Sequence, residues 1–325
     1  MPENLADLAN AGYMPTEVDL DGGVVRLARL AAADFGEVWY NDTAAATGHT
    51  RSVSIAAFVE QFGERRAGEH LRLIAHVSRC GSTLLANLLT LRPTTMVLKE
   101  PDFVTVPARM IALAADDAAA RAHRDLLTAL LNYSCHTAAV AGRTLVVKIT
   151  SWTVPIVVSC LDGVPDTTWL FQWREPAEMV ASNTANPSTW GEDTANGRAA
   201  RRLAGAGVLP SDVAGFYATT WARIVESVLS AEDLRWRALD YQDLVRDKAF
   251  SLLETERWFD IAAGALPAGF DVEGDRYSKG GRGQAFEPTG THRRGGLEPA
   301  VAERIGAITE PVRVRLCEEE GRRLF

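Results

Sequence analysis

The chain of 325 residues contains no Gly-Lys pair, no Cys-x-x-Cys pair and no long run of apolar residues. The Walker loop of common nucleotide-binding proteins needs Gly-Lys followed by Ser or Thr at its helix entry, so its absence argues against an ordinary ATP or GTP site. Without metal-binding spacing, the four cysteines are typical of reduced thiols in a cytoplasmic protein. The apolar runs are far shorter than a bilayer span, which predicts no membrane segment.

The sequence also has no excess of positive charge, because its formal net charge is −8. This balance argues against a general surface for nucleic acid or heparin-like chains, so any anion site must be local. The polar start at residues 1–4 lacks the basic and apolar parts of a signal peptide, which favours a cytoplasmic location. A hydrophobic content of 47% allows a large core. We interpret residues 1–67 as an N-terminal extension packed on a main domain at 68–325.

The most informative segment runs from residue 70 to residue 91. Residues 70–77 read as a buried strand, and residues 82–91 have leucines at helical spacing. The turn between them is Ser78-Arg79-Cys80-Gly81-Ser82-Thr83. A turn of this kind at a helix N-terminus presents backbone N–H groups to an anion and predicts a phosphate loop. The alternative is an ordinary strand–turn–helix connection.

Further strands are predicted near 96–98, 145–149 and 168–173, with helices at 107–138 and 177–182. A hairpin is expected at 16–30, and residues 31–67 are expected to be helical. Alternating strands and helices predict a parallel sheet covered by helices on both faces. Ligands bind beyond the carboxyl ends of such strands, which singles out Glu100, Lys148 and Arg174 beside the 78–83 turn.

Arg174 follows a predicted strand, and Ser182 lies eight residues later in a predicted helix. A guanidinium and a hydroxyl placed in this way can converge on one phosphate. The alternative is that Arg174 pairs with Glu175 or Glu178 while Ser182 lies on the helix surface.

The 78–83 turn resembles the 5′-phosphosulfate loop of the sulfotransferase family, Pro-Lys-Ser-Gly-Thr-Thr, in its bacterial and Golgi-like variant. Arg79 takes the Lys place and Gly81 the Gly place, whereas Cys80 departs from the pattern. The spacing of Arg174 and Ser182 is similar to that of the family's 3′-phosphate contacts. Residues 235–247 resemble a strand followed by Tyr-Glu-Asp-Leu-x-x-Asp-Pro, interpreted as structural and unrelated to phosphate binding. Residues 279–283 resemble a Lys-Gly-x-x-Gly loop that closes over the donor.

This resemblance implies a P-loop-type three-layer α/β sandwich with a central parallel sheet, sulfotransferase-like. It implies 3′-phosphoadenosine 5′-phosphosulfate (PAPS) as co-substrate without a metal, and transfer to a hydroxyl or amine of a small-molecule or peptide acceptor. The net charge and the short apolar runs predict no nucleic-acid or membrane partner. The implied donor-binding residues are Ser78, Arg79, Cys80, Gly81, Ser82, Thr83, Arg174, Ser182, Lys279, Gly280 and Arg282.

The resemblance also frames the choice of catalytic base. Cytosolic members use a His soon after the third strand, where this chain has Thr150. Other branches use a Glu in a Lys-Glu pair, which Lys99-Glu100 matches, and His292 is the reserve candidate. Arg79 and Lys148 are expected to stabilise charge on the transferring group.

Several alternatives stay open at this stage. The alternative role for Glu100 is a purely structural salt bridge with Lys99, Arg79 or Arg174. His76 lies inside the predicted strand and is expected to be a core or supporting residue. Two other functions are possible. The first is a nucleotide-dependent kinase or NTPase of the same fold, but such an enzyme would need a Walker lysine, which this sequence lacks. The second is a non-catalytic relative that binds nucleotide.

Overall fold

The structure is a computed structural model that describes residues 4–30, 37, 39–45, 50–64, 71–162, 164, 166–205, 212–261, 264–274 and 297–319. Its strands are β1 Tyr13–Asp19, β2 Val24–Arg29, β3 Thr50–Ser54, β4 Leu71–His76, β5 Thr95–Lys99, β6 Thr144–Lys148, β7 Thr168–Trp173 and β8 Arg235–Asp240. Its helices are α1 Leu5–Asn10, α2 Tyr40–Ala45, α3 Ile55–Phe62, α4 Ser82–Thr90, α5 Asp102–Leu113, α6 Asp117–Val140, α7 Val154–Leu161, α8 Pro176–Ala185, α9 Ala195–Ala204, α10 Val213–Leu229, α11 Tyr241–Arg246, α12 Lys248–Trp258, α13 Phe270–Gly274 and α14 Pro299–Glu318. None of the described helices is long and apolar enough to cross a bilayer.

A five-stranded parallel sheet with the order β5-β6-β4-β7-β8 forms the centre of the molecule. Side chains of alternate strand positions enter two different cores, which explains why β4, β5 and β7 are buried throughout. One core includes residues of α4, α11 and α12, and the other includes residues of α5, α6, α7, α8 and α10. The predicted α/β class with a parallel sheet between two helical layers is confirmed.

The topology places a crevice beside the central strand β4. From β4 the chain crosses to β5 on one side of the sheet, whereas from β7 it continues to β8 on the other side. Adjacent strands whose connections run in opposite directions leave an opening at their carboxyl ends, and this is where ligands bind in open α/β sheets. The 78–83 turn follows β4 and Arg174 follows β7, so both lie at this opening.

The N-terminal region is built differently from the expectation. The predicted hairpin is confirmed, since β1 and β2 pair antiparallel around a turn at Gly22-Gly23. The helical prediction for 31–67 is wrong at β3, which pairs with β2 as a third strand. In β3 the β-branched and hydroxyl residues present a single buried side chain, Val53, so the strand lacks the alternating apolar pattern that would reveal it.

The N-terminal elements pack on the long helix α6. The ring of Tyr133 contacts Phe58 and Phe62 edge to face, each at 5.2 Å between centroids. The Tyr133 hydroxyl donates to the carbonyl of Tyr13, and Asn132 donates to the carbonyl of Phe62. These contacts bury the N-terminal elements against the main core, while the division into 1–67 and 68–325 stays a prediction.

The single helix predicted at 107–138 is instead two helices, α5 and α6. The chain becomes extended at Ala114, and Asp116 then caps α6 by accepting the backbone N–H of Ala119. An Asp before an Ala-rich run is a helix start signal, and here it outweighs the continuous helical propensity around it.

An ion pair with a buried carboxylate joins the turn after α4 to α12. The guanidinium of Arg92 meets the carboxylate of Glu256 through two hydrogen bonds of 2.5 and 2.8 Å, and Glu256 is fully buried. Arg92 also donates to the carbonyl of Ala265. A two-pronged pair of this kind fixes the geometry of both helices, because either charge alone would be costly to bury.

Candidate active site

The turn after β4 has an unusual backbone. Ser78, Arg79 and Gly81 have φ values of 73°, 52° and 78°, all in the left-handed region. Glu100, at the end of β5, has a φ of 52°. Thus three of the five non-glycine residues with positive φ in the described part of the chain lie at one edge of the sheet. Strained backbone of this kind concentrates at functional sites.

Neighbouring strands hold the turn in this shape. Cys80 and Gln172 exchange two hydrogen bonds: the Gln172 amide donates to the Cys80 carbonyl at 2.6 Å, and the thiol donates to the Gln172 carbonyl at 3.3 Å. The guanidinium of Arg174 donates to the carbonyl of Arg79 at 3.1 Å. These contacts use carbonyl groups of the turn and make Cys80 a structural member of it.

Gly81 lies against the helix that follows β8. A Cβ atom at Gly81 would come within 2.8 Å of Leu244 and 3.3 Å of Tyr241. Only glycine combines this close approach with a positive φ at low cost. Tyr241 and Leu244 of the 235–247 motif therefore pack against the 78–83 turn, which fits the structural role expected for this motif. That the motif takes no part in phosphate binding stays a prediction. Sequence reasoning missed this contact because the two segments lie far apart in the chain.

The entry of α4 is arranged to receive an anion. Helix α4 begins at Ser82, and no described side chain caps its N-terminus. The Thr83 hydroxyl is buried and finds no hydrogen-bond partner among the described residues. Uncapped N–H groups and a buried hydroxyl without a partner are costly unless a ligand completes them. Phosphate or sulfate oxygens would do so, and the helix dipole favours their charge.

A lysine–glutamate pair lies at the neighbouring strand ends. The backbone N–H of Glu100 donates to the carbonyl of Lys148 at 2.7 Å, which extends the ladder between β5 and β6. The Lys148 ammonium, fully buried, donates to Oε1 of Glu100. The imidazole Nε2 of His76 lies 3.7 Å from the same oxygen. The structure therefore brings two of the predicted catalytic residues together, with His76 as a third member.

Glu100 pairs with Lys148, which was not among the salt-bridge partners considered from the sequence. Lys99 is buried and donates to the side chain of Asn87 at 3.0 Å. Arg79 donates to the backbone carbonyl of Asn186. Its guanidinium is thus directed to the end of α8 in this structure.

Arg174 is deeply buried and ion-paired. Its Nε lies 3.0 Å from the carboxylate of Glu178, one helical turn into α8, and its Cζ lies 4.2 Å from the ring centroid of Tyr241. Gln242 approaches the same carboxylate at 3.4 Å. The pairing with Glu178 is the alternative named from the sequence. Ser182 is also buried rather than on the helix surface.

Charged side chains of both signs gather at this edge of the sheet. The cations are Arg79, Lys99, Lys148 and Arg174, and the carboxylates at the same strand ends are Glu100, Glu175, Glu178 and Asp240. In a chain of net charge −8 the cations are concentrated beside the 78–83 turn, where an anion would bind. In the described ranges no group of three or more His, Cys, Asp or Glu side chains is arranged to hold a metal ion.

Some of the predicted site residues lie outside the part of the chain that the structure describes. His292, Lys279, Gly280 and Arg282 lie outside the described residues and stay predictions. Thr150, which occupies the place of the cytosolic histidine, is buried and hydrogen-bonded to the hydroxyl of Thr105 at 2.9 Å. Four tryptophans are buried in the core: Trp152, Trp169, Trp173 and Trp190.

A second cleft, of about 210 Å³, lies at the carboxyl ends of β7 and β8, next to α14. Asp240, Asp243 and Glu175 line it together with Trp173, Ala238, Leu239 and Cys317. Burial raises the pKa of Asp240 to about 6, and the neighbouring carboxylates add to the rise, while the backbone N–H of Gln242 opposes it. The carboxyl also caps α11, since it accepts that N–H at 2.9 Å.

The raised pKa predicts a pH-dependent gain in stability for Asp240→Asn. The folded protein holds the Asp240 proton more tightly than the unfolded chain does. The protonated carboxyl therefore contributes its full share to the free energy of unfolding below the ordinary pKa of 3.8, and this share is lost as pH rises through about 6. Asparagine keeps the cap but never ionises. At pH 7 the variant should be more stable by about 1–2 kcal/mol, after discounting for partial exposure, with no gain below pH 4.

Urea unfolding at pH 4 and pH 7 measures this difference. Asp116→Asn is the matched control, because Asp116 is also a capping aspartate but lies exposed at the start of α6. An equal gain at both pH values would show that Asp240 is not held in an unfavourable charged state.

Comparison with known proteins finds no matching family model and no matching curated protein. Among solved structures, the chain is similar to sulfotransferase STF1 from Mycobacterium tuberculosis H37Rv, with a TM-score of 0.42 and 13% identity. The alignment covers 78% of this chain and 81% of that chain. A similarity of this extent assigns no activity to the protein.

Proposed function

We propose that the protein transfers a sulfuryl group from PAPS to a hydroxyl or amine of a small-molecule or peptide acceptor. The observation that supports this proposal most directly is the anion-ready entry of α4, with its uncapped N-terminus and the buried Thr83 hydroxyl. The family resemblance of the 78–83 loop names the anion as the 5′-phosphosulfate. The absence of a Walker Gly-Lys pair disfavours a nucleoside triphosphate.

Most of the proposed site residues bind the donor. The N–H groups and hydroxyls of residues 78–83 bind the 5′-phosphosulfate. Arg174, with Ser182, binds the 3′-phosphate, which competes with Glu178 for the guanidinium. Arg79 leaves the carbonyl of Asn186 to reach the group being transferred. His292 and the 279–283 segment remain reserve candidates for the base and the closing loop.

Glu100 and Lys148 carry the chemical step. The acceptor oxygen forms a bond to sulfur as the bond from sulfur to the bridging oxygen breaks, and the acceptor proton passes to Glu100. The electron pair of the broken bond stays on the 5′-phosphate, so 3′,5′-adenosine bisphosphate is released. Once Glu100 is protonated, its ion pair with Lys148 is lost. The ammonium then stabilises the charge that grows on the bridging oxygen.

Ligand binding gives the first test. We expect 3′,5′-adenosine bisphosphate to stabilise the protein by about 2.7 kcal/mol at a concentration 100 times its Kd, and ATP with Mg²⁺ to give a much smaller effect. Thermal unfolding with each ligand measures the difference. Transfer of ³⁵S from labelled PAPS to a panel of alcohols, phenols and amines then tests the reaction itself.

Each alternative function predicts a different result. Stronger stabilisation by ATP with Mg²⁺ would identify a kinase or NTPase and contradict the proposal. Strong binding of the bisphosphate without ³⁵S transfer to any acceptor of the panel would identify a non-catalytic relative.

A further inference from the structure

The imidazole of His76 lies between the phosphate loop and the Glu100–Lys148 pair. His76 is the last residue of β4 and is 2% exposed. Its Nδ1 accepts the backbone N–H of Ser78, the first residue of the loop, at 3.1 Å. Its Nε2 lies 3.7 Å from Oε1 of Glu100. One side chain therefore hydrogen-bonds to the loop and faces the Glu100 carboxylate from just beyond hydrogen-bond distance.

These contacts define which nitrogen carries the proton. A nitrogen that accepts an N–H must offer its lone pair, so Nδ1 is unprotonated and the neutral imidazole carries hydrogen on Nε2. That hydrogen lies on the side of the Glu100 carboxylate. His76 is therefore not arranged to act as a base, because protonation of Nδ1 would expel the Ser78 amide.

The charge around Glu100 fits the same arrangement. Lys148 donates to Oε1, the oxygen that Nε2 of His76 also faces. The ammonium is within hydrogen-bond distance of Oε1, and Nε2 faces the same oxygen from 3.7 Å, so both groups favour one rotation of the carboxylate. The positive φ values of Ser78 and Glu100 show that both backbones are held in conformations that they would not adopt alone.

We propose that His76 is a positioning residue that aligns the Glu100 carboxylate with the phosphate loop. The inference rests on the proposed function, since it assigns Glu100 as the base. Through Nδ1 the imidazole holds the start of the loop, and through Nε2 it holds the base. The distance from base to bound donor is thereby fixed by one rigid ring.

Two substitutions separate the two contacts. His76→Asn places an oxygen near the position of Nδ1, so it keeps the Ser78 contact and loses the Glu100 contact. His76→Gln places its amide near Nε2, so it keeps the Glu100 contact and loses the Ser78 contact. His123→Asn and His123→Gln, on α6, are the matched controls.

We expect opposite effects from the two variants. His76→Asn should lower kcat by roughly 10²-fold, the usual cost of a base misplaced by about 1 Å, with an unchanged Kd for 3′,5′-adenosine bisphosphate. His76→Gln should keep kcat within a few-fold while the Kd rises roughly three- to tenfold, the worth of one hydrogen bond. Calorimetry gives Kd, and ³⁵S transfer to the best acceptor gives kcat. In long-range ¹⁵N–¹H NMR spectra, His76 of the free wild-type protein should appear as the Nε2–H tautomer.

The outcomes distinguish this inference from the proposed function. Parallel losses of kcat, affinity and stability in both variants, or an Nδ1–H tautomer in the wild type, would overturn the role of His76 alone. A wild-type protein that binds no bisphosphate and transfers no sulfur would overturn the proposed function and this inference with it.

Discussion

Replacing Glu100 by Gln should lower turnover by about 10²–10⁴-fold, the usual worth of general base catalysis, while the affinity for 3′,5′-adenosine bisphosphate stays nearly unchanged. Glutamine has the shape of glutamate and still accepts a hydrogen bond from Lys148, but it cannot take the acceptor proton. The acidic limb of the pH–rate profile should disappear, because the group that must be ionised is gone. Steady-state kinetics between pH 5 and pH 9 measure both effects.

Stability must be measured alongside turnover, because Lys148 is fully buried. The variant leaves its ammonium without a charged partner, and we expect the protein to lose stability for that reason. Glu303→Gln, an exposed carboxylate on α14, is the control for the exchange itself. If the Glu100 variant loses stability or donor affinity but keeps most of its turnover, Glu100 serves only as an ion-pair partner. His292 is then the next residue to change.

Arg174→Ala should destabilise the protein by about 3–5 kcal/mol, the usual cost of removing one partner of a buried ion pair. Glu178 is fully buried, and without the guanidinium its charge is left with the weaker contact from Gln242. The same change removes the hydrogen bond to the Arg79 carbonyl and the contact with the Tyr241 ring. A loss of donor binding in this variant alone would therefore not identify a phosphate contact.

The double variant Arg174→Met with Glu178→Met separates the two roles. It removes both charges, so most of the lost stability should return. Affinity for 3′,5′-adenosine bisphosphate should still fall by roughly 1.5–3 kcal/mol, and that for adenosine 5′-monophosphate should fall much less. Calorimetry with both nucleotides on the refolded double variant measures the difference.

The Arg92–Glu256 pair provides a matched control. Its carboxylate is also fully buried, but it joins the turn after α4 to α12, and its two hydrogen bonds involve none of the predicted ligand residues. Arg92→Met with Glu256→Met should reproduce the stability pattern and leave both nucleotide affinities unchanged. If the Arg174 double variant weakens both nucleotides equally, Arg174 shapes the loop and does not contact the 3′-phosphate.

The sheet and the loop were the most predictable parts of this chain. The parallel strands are short and almost wholly buried, so each reads as a mainly apolar run between turn signals, although Arg72 interrupts β4 and Gln172 interrupts β7. Because the strands are parallel, their carboxyl ends all lie at the same edge of the sheet. The strand β3 and the break between α5 and α6 were missed, because local patterns there conflict with the structure formed.

The partners within the site were less predictable. The pairing of Arg174 with Glu178 was one of two possibilities at the sequence level, and burial decides between them. Tyr241 reaches Arg174 and Gly81 only because β8 lies beside β7. His76 carried one usable signal, since a polar residue at the last position of a buried strand must lie at the ligand edge.

The contact of Gly81 with Tyr241 and Leu244 has a consequence for how the protein is made. β4 and α4 leave the ribosome early, but the helix that supports the loop between them is translated much later. At about 5–20 residues per second, the nascent chain waits on the order of 10 s for this support. During that interval the left-handed backbone of the loop lacks its contacts with Tyr241 and Leu244. We therefore expect the nascent chain to become able to bind an anion only after residue 244 has emerged and β8 has joined the sheet.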